Sequence, residues 1–381
     1  MSHMNYRKFN NINMEVSALG FGCMRLPTIG DYSKIDEPLA IEMIRYAVDQ
    51  GVNYIDTAYP YHSGNSEKLL GKALKDGYRE KVKLATKMPI WLVQKRDDFE
   101  RLFNEQLERL EVDYLDFYLF HNMKKEWWSS LRKLGILRWA EKTIAKGSFG
   151  YLGFSFHDTY DVFKDTIDTY DGWTVCQIQY NYMNEDIQAG TKGLEYAADK
   201  GLSVIVMEPL LGGNIVKPPQ TVQDIFDSAS KRRTPADWAL QWLWNKPEVS
   251  LVLSGMSEMQ HVKENVGSAC RSGIATMSQD ELDLIARVQE KYRDFYPIPC
   301  TKCGYCMPCP NGVDIPRNFD LYNDGITFNH FPLNSNIYQG VFPEEIKAAE
   351  CVQCKECEEH CPQNIKISEW MPRVHEKLSS K

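Results

Sequence analysis

Eight of the eleven cysteines fall between Cys300 and Cys361, in two runs. The first is Cys300-x2-Cys303-x2-Cys306-x2-Cys309, followed by Pro310. The second is Cys351-x2-Cys354-x2-Cys357-x3-Cys361, followed by Pro362. The other three, Cys23, Cys176 and Cys270, are scattered. A disulfide framework spreads its pairs through a small secreted chain. Eight cysteines crowded into one segment of a 381-residue chain point to metal instead. Four-cysteine zinc sites use two Cys-x2-Cys pairs. Three cysteines at two-residue intervals, completed by Cys-Pro, follow the spacing of a [4Fe–4S] cubane site. A chain of 381 residues leaves room for a second, larger domain before them.

That part alternates short apolar runs with amphipathic helical stretches. The runs are 17–22, 53–58, 82–87, 114–121, 150–155, 175–180, 202–207 and 249–254. Near-continuous apolar runs suit strands of a parallel sheet that is covered by helices. Between them, Leu39 to Gln50 ends in a helix-stopping glycine, Gly51. Asp98 to Leu110 carries Phe99, Leu102, Phe103, Leu107 and Leu110 at helical spacing. Eight strand–helix units predict an α/β fold, a (β/α)8 TIM barrel, which takes roughly 250 residues. An open doubly wound sheet is the competing reading. It needs a glycine-rich fingerprint after its first strand, and Gly20-Phe-Gly22 lacks the third glycine. Ser278-Gln-Asp-Glu281 reads as a capping box that opens a helix to about Phe295. Pro297 and Pro299 then break the chain. The expected division is a barrel over 5–295 and a smaller α-helical and loop iron–sulfur domain over 296–381.

The formal net charge is −8, which argues against a nucleic-acid footprint. No apolar run is long enough to span a bilayer. No signal peptide opens the chain, and the opening Met1-Ser2-His3-Met4 reads as an expression scar before a start at Met4. A cytoplasmic location, with neither membrane nor nucleic acid as partner, is the expectation.

Residues 296–370 resemble the bacterial two-cluster ferredoxins. In such modules three cysteines hold one cubane and the Cys-Pro cysteine serves the other. The resemblance implies one [4Fe–4S] cluster on Cys300, Cys303, Cys306 and Cys361, and a second on Cys351, Cys354, Cys357 and Cys309. This chain departs in having two residues, not three, before Cys309, and in a long loop between the runs. Radical chemistry on S-adenosylmethionine would want a Cys-x3-Cys-x2-Cys run near the first strands, and none occurs there.

Active sites of TIM barrels lie at the C-terminal ends of the strands. Three successive candidate strands end in ionisable groups: Asp56, with Tyr61 in the loop that follows, then Lys87, then His121. A charged group at the end of an apolar strand is costly unless paired or functional. Each one alone has a structural reading, as a solvated end, a satisfied core histidine or a packing tyrosine. The stretches Asp56-Thr-Ala-Tyr-Pro-Tyr61, Leu84-Ala-Thr-Lys87 and Asp116-Phe-Tyr-Leu-Phe-His121 resemble the catalytic tetrad of the aldo/keto reductase superfamily. The resemblance covers about residues 5–270. With the cysteines, the chain looks like the iron–sulfur branch of that superfamily.

The resemblance implies reduction of an aldehyde or ketone by NAD(P)H, or the reverse oxidation. Tyr61 would be the general acid, Lys87 would lower its pKa, Asp56 would hold Lys87, and His121 would orient the substrate oxygen. Ser155 and Gln177 match positions that bind the nicotinamide carboxamide, with Phe156 where an asparagine usually follows the serine. Met207 stands where an aromatic ring often stacks on the nicotinamide. Glu264 and Asn265 match the adenine-binding pair. His261 and Gly255 replace the basic residues that usually favour the 2′-phosphate, so NADPH and NADH both stay open. The expected partner is a small carbonyl or alcohol.

Three roles for the clusters remain open on sequence. They stabilise the module of a two-electron reductase, they relay single electrons to or from a redox protein such as ferredoxin, or the barrel is idle and the chain is an electron carrier. A complete tetrad speaks against the last, and a flavin motif that could join one- to two-electron chemistry is not seen. His62, the Phe156-His157 pair and the tryptophans Trp127, Trp128, Trp238, Trp242 and Trp244 are read as lining or packing residues.

Overall fold

The computed structural model describes residues 3–380, except Asn10, Asp294, Tyr296 and 328–330, and describes Arg293 by its backbone alone. Met1 and Ser2 of the expected scar, Tyr296 at the expected domain boundary and Lys381 at its end lie outside the described residues. The strands are β1 (Tyr6–Phe9), β2 (Met14–Ser17), β3 (Leu19–Gly22), β4 (Tyr54–Asp56), β5 (Lys83–Met88), β6 (Leu115–Met123), β7 (Phe149–Phe156), β8 (Val175–Gln179), β9 (Ser203–Met207) and β10 (Val249–Gly255). The first helices are α1 (Glu37–Asp49), α2 (Asn65–Ala73), α3 (Asp97–Leu110), α4 (Lys125–Leu134), α5 (Ile136–Ala145), α6 (Tyr160–Asp168) and α7 (Gly190–Asp199). They are followed by α8 (Gln220–Asp227), α9 (Pro235–Trp244), α10 (Met259–Ala269) and α11 (Gln279–Arg293). The last are α12 (Ile315–Thr327), α13 (Phe331–Gly340), α14 (Glu356–His360) and α15 (Ile367–Ser379).

Strands β3 to β10 form a closed barrel, with β10 pairing back onto β3, and its ladders are parallel. All eight apolar runs of the sequence are these strands. Helix α1 begins two residues before the expected Leu39. Asp36 caps it by accepting from Leu39 N at 3.3 Å, and it ends before Gly51, whose φ is +98°. Helix α3 buries Phe99, Leu102, Phe103 and Leu110 on one face. Burying side chains of this size is worth about 2 kcal/mol each. Gly71 of α2 lies so close to the end of α3 that a Cβ there would sit 2.7 Å from Leu110 O. Packing contact, not chain flexibility, requires that glycine.

The sequence pattern missed one element. The β1–β2 hairpin pairs antiparallel outside the barrel sheet. Its Phe9 is fully buried, edge-on to Tyr54 at 6.2 Å and Phe117 at 5.6 Å. Tyr54, Phe117, Val175, Leu251 and Ile205 form one apolar layer with it. Tyr54 and Val175 are the first residues of their strands and Phe117, Ile205 and Leu251 the third, so the hairpin plugs the N-terminal end of the barrel. The polar strand termini gather at the other end.

The chain forms two compact units. One comprises Met1–Pro209 and Ala236–Met277, and the other Leu210–Pro235 and Ser278–Lys381. The expected division at 295/296 differs from this grouping. Helix α11 goes with the cysteine unit because it packs on α8, and Tyr292 OH donates to Ile215 O at 3.2 Å. The capping box that opens α11 forms as read, with Ser278 N donating to Glu281 Oε2 at 2.9 Å and Glu281 N to Ser278 Oγ at 3.3 Å. The core of this unit contains Ile298, Val313, Ile315, Phe319, Phe342, Met371, Val374 and Leu378. Among the described residues no helix is long and apolar enough to cross a membrane.

Candidate functional site

Parallel registry brings the strand ends together. Asp56 pairs with Ala85, and Lys87 with Leu119. Side chains alternate along a strand, so Asp56 and Lys87 can meet across the ladder. Both are buried, at 1% and 0% exposure. The three N–H donors of the Lys87 ammonium go to Asp56 Oδ1, to Thr57 O at 2.9 Å and to Tyr61 OH at 3.4 Å. The second Asp56 oxygen accepts from Gln177 Nε2 at 3.1 Å. Burial pushes the Asp56 carboxyl above the ordinary carboxylate value, while the Lys87 ammonium and the Gln177 amide pull it down. A buried ion pair tolerates removal of neither partner, since the survivor keeps its desolvation cost.

His121 packs edge-on against Tyr61, with ring centroids 5.9 Å apart and planes at 85°. Trp91, in the loop after β5, also packs on His121, with ring centroids 5.1 Å apart and planes tilted by 57°. Burial, then the Lys87 charge and His157, hold the His121 pKa well below the usual histidine value, so the imidazole is neutral. His157 is neutral as well, pulled down to about 3 by burial and then by Lys124. The β6–β7 register shifts between Phe120 and Met123, and Asn122 there has φ +60°. That irregularity sits directly after His121, and such irregularities re-aim a side chain. It is held in part by Asn122 N donating to Ser155 Oγ at 2.9 Å.

Behind Lys87 lies a buried polar network. Glu67 accepts from Thr86 Oγ1 at 2.7 Å and from Gln106 Nε2 at 2.6 Å. Gln106 also donates to Lys87 O at 3.0 Å and accepts from Tyr118 OH at 2.7 Å. The backbone that carries the lysine is thus tied to α2, α3 and β6.

Asp56, Lys87, Tyr61, His121 and Gln177 therefore form one group. Ser155 and Gln177 face each other in register on β7 and β8. Met207 ends β9 and is half-buried. Glu264 and Asn265 sit apart on α10, and neither bonds to the Lys87 group among the described residues. Glu264 is exposed and accepts from Gln260 Nε2 at 2.7 Å, while Asn265 is buried and donates to Ser254 Oγ at 3.1 Å. Trp91, His157 and the Thr57 carbonyl were not promoted by the sequence reading. Trp91 and His157 lie beyond strand ends, where no periodicity marks a residue. Thr57 acts through a backbone atom.

In the other unit, Cys300, Cys303, Cys306 and Cys361 line a small hollow with Ile315, Phe319 and Pro362. Burial raises the Cys300 thiol to about 12, with Cys303 and Cys361 adding to the rise. The members of the second set also influence one another. Burial pushes Cys357 up to about 12, and Cys351, Cys309 and Cys354 raise it further. Each set has one buried thiol, Cys361 in the first and Cys357 in the second, and Cys354 of the second is exposed. Among the described residues no three His, Cys, Asp or Glu side chains gather tightly enough to hold one metal ion. The four thiols of the cavity stand around a space instead.

Two family profiles match successive parts of the chain. The aldo/keto reductase family profile matches residues 18–289, and the 4Fe-4S dicluster domain profile matches residues 299–365. Probable aldo-keto reductase 1 of Glycine max is 28% identical over 300 residues, spanning 68% of this chain and 83% of that protein. L-galactose dehydrogenase of Arabidopsis thaliana is 27% identical over 317 residues, spanning 77% and 97%. An aldo/keto reductase of Klebsiella pneumoniae, solved with NADP and acetate, is 25% identical, with a TM-score of 0.62 over 74% of this chain and 95% of that one.

Proposed function

The chain belongs to the aldo/keto reductase family, and we propose that it reduces an aldehyde or ketone to the alcohol with NADPH, or runs the reverse oxidation. The observation that carries this reading is the Lys87 ammonium 3.4 Å from the Tyr61 hydroxyl. A free phenol, with a pKa near 10, is a poor acid at neutral pH. An ammonium at that distance favours the phenolate and so strengthens the acid. Tyr61 protonates the oxygen of the reduced carbonyl. Asp56 and Thr57 O fix the ammonium. The neutral His121 donates to the substrate oxygen and sets its orientation.

The residues fit a nicotinamide. Gln177 gives one amide N–H to Asp56 and keeps its carbonyl oxygen for a carboxamide N–H. The Ser155 hydroxyl accepts from Asn122 and keeps its own hydrogen to donate. When bound, the reduced nicotinamide supplies the hydride. NADPH is preferred here to NADH because the Klebsiella relative was solved with NADP. The Glu264–Asn265 end of the site would hold the adenine.

The cysteine unit fits two [4Fe–4S] clusters, one on Cys300, Cys303, Cys306 and Cys361, the other on Cys309, Cys351, Cys354 and Cys357. A cavity ringed by four thiols supports the first assignment, and the mutual influence of the other four supports the second. The clusters are read as structural. A second reading, in which they exchange single electrons with a redox protein, draws on the exposure of Cys354. Anaerobic mixing with NADPH separates the two, since only the second bleaches cluster absorbance during turnover.

The test of the reductase reading is an anaerobic screen of aldehydes, ketones and sugars with NADPH. Oxidation of NADPH tied to one of these classes, and lost in Tyr61→Phe, is expected. Full activity in Tyr61→Phe would reject the role given to Tyr61.

A further inference from the structure

Tyr61 is followed by three residues in the left-handed region. His62 has φ 51°, Ser63 φ 56° and Gly64 φ 87°. Only the glycine adopts that conformation without steric cost. Two strained residues in a row, directly after the candidate proton donor, persist only if their surroundings hold them.

What holds them is the His62 ring. It is fully buried. Leu26 N donates to His62 Nε2 at 3.2 Å. Nε2 must then be bare, which places the ring proton on Nδ1, and Nδ1 lies 2.7 Å from Tyr32 O. The Tyr32 ring stacks on the imidazole at 4.5 Å. Leu26 and Tyr32 both belong to the connection from β3 to α1. Part of that connection is a small flap, closed by the Thr28–Ile35 bridge and by Ile29 N donating to Lys34 O at 2.8 Å. Asn65, three residues past His62, adds a bond to the same flap, donating to Ser33 O at 3.0 Å.

We propose that His62 is a positioning residue, its ring clamped between the Leu26 N–H and the Tyr32 carbonyl so that the strained loop keeps the Tyr61 hydroxyl against Lys87. The proposal rests on the reading of Tyr61 as proton donor, and it extends that reading to a residue that touches neither substrate nor Lys87. Loss of the clamp lets the loop relax and carries the phenol away from the ammonium.

The test uses the full chain with its clusters, as wild type, His62→Gly and His62→Asn. Glycine relieves the left-handed backbone and deletes both ring bonds. Asparagine tolerates that backbone and restores a donor near the position of Nδ1. If His62 only filled space, His62→Gly would leave Tyr61 unchanged. The decisive readout is the titration of Tyr61, followed by NMR of protein labelled with 13Cζ-tyrosine and assigned by loss of the signal in Tyr61→Phe. In His62→Gly the Tyr61 pKa rises by about one unit as the Lys87 charge recedes, and His62→Asn shows a smaller rise. With NADPH and a reducible aldehyde, kcat of His62→Gly falls about tenfold, KM for NADPH stays within about twofold, and the alkaline limb of kcat moves up with Tyr61. An unmoved Tyr61 titration in His62→Gly overturns the proposal, whether or not kcat falls. Should His62→Gly fail to fold, the Tyr61 titration in His62→Asn decides in the same way. If no aldehyde or ketone is reduced by the wild type, the reductase reading falls, and the NMR titration still judges the clamp.

Discussion

Lys87 has no donor to spare: one N–H goes to the Asp56 carboxylate, one to the Thr57 carbonyl at 2.9 Å and one to the Tyr61 hydroxyl at 3.4 Å. An ammonium so held cannot swing toward other partners, and its charge stays fixed beside the phenol. The chemistry proposed for this chain depends on that immobility.

Removing the phenol oxygen tests the proton transfer alone. Tyr61→Phe should lower kcat for carbonyl reduction by about 100-fold or more. NADPH binding, read by fluorescence titration, should stay near the wild-type value, because the hydroxyl is assigned to the substrate.

The ion pair makes an energetic prediction of its own. Lys87→Met leaves a buried carboxylate with Gln177 as its remaining side-chain partner, and Asp56→Asn leaves a buried ammonium. Each should cost about 3 kcal/mol of stability. The double variant Asp56→Asn/Lys87→Met should cost clearly less than the sum. Thermal midpoints of the four proteins check this, and simple additivity would show that the pair is not coupled.

His157 gives the fold a dependence on acid. Unfolded, its imidazole takes a proton near pH 6.5; folded, it does so at about 3. Between those values the unfolded chain binds more protons, so stability drops as pH falls, by about 1.4 kcal/mol per unit at most. His157→Gln should flatten the decline of the melting temperature between pH 6.5 and 5 relative to wild type. Identical slopes would mean that the ring is protonated in the fold.

The crossed cluster assignment separates two cysteine variants. Cys361→Ser should disturb the cluster on Cys300, Cys303 and Cys306, and Cys309→Ser the one on Cys351, Cys354 and Cys357. Iron and acid-labile sulfide should each fall by up to about half, with a different electron paramagnetic resonance signal lost in each variant. Loss of the same signal from both would reject the crossing.

Much of the barrel was legible because a parallel sheet covered by helices demands apolar residues on both faces, and eight such runs stand out. The β1–β2 hairpin was not, since Tyr6-Arg-Lys-Phe9 is short with a polar centre and only its last residue is buried. Asp56, Lys87 and His121 could be singled out because an ionisable group is expensive at the end of an apolar strand. Nothing local marks Trp91 or the left-handed Asn122, whose positions come from loop geometry and a shifted register. His62 read as a lining residue because its two backbone partners lie about thirty residues away in sequence. The unit boundary escaped the proline signal for a similar reason: α8 sits inside the barrel's stretch of sequence, yet it packs on α11.

That last arrangement has a practical meaning. The polypeptide visits the cysteine-bearing unit twice, first at Leu210–Pro235 and again from Ser278 onward. Asn214 from the first visit donates to Cys300 O at 3.0 Å in the second. A truncation after Met277 would strand the earlier excursion without α11, leaving Val222 and Phe226 of α8 to find new cover.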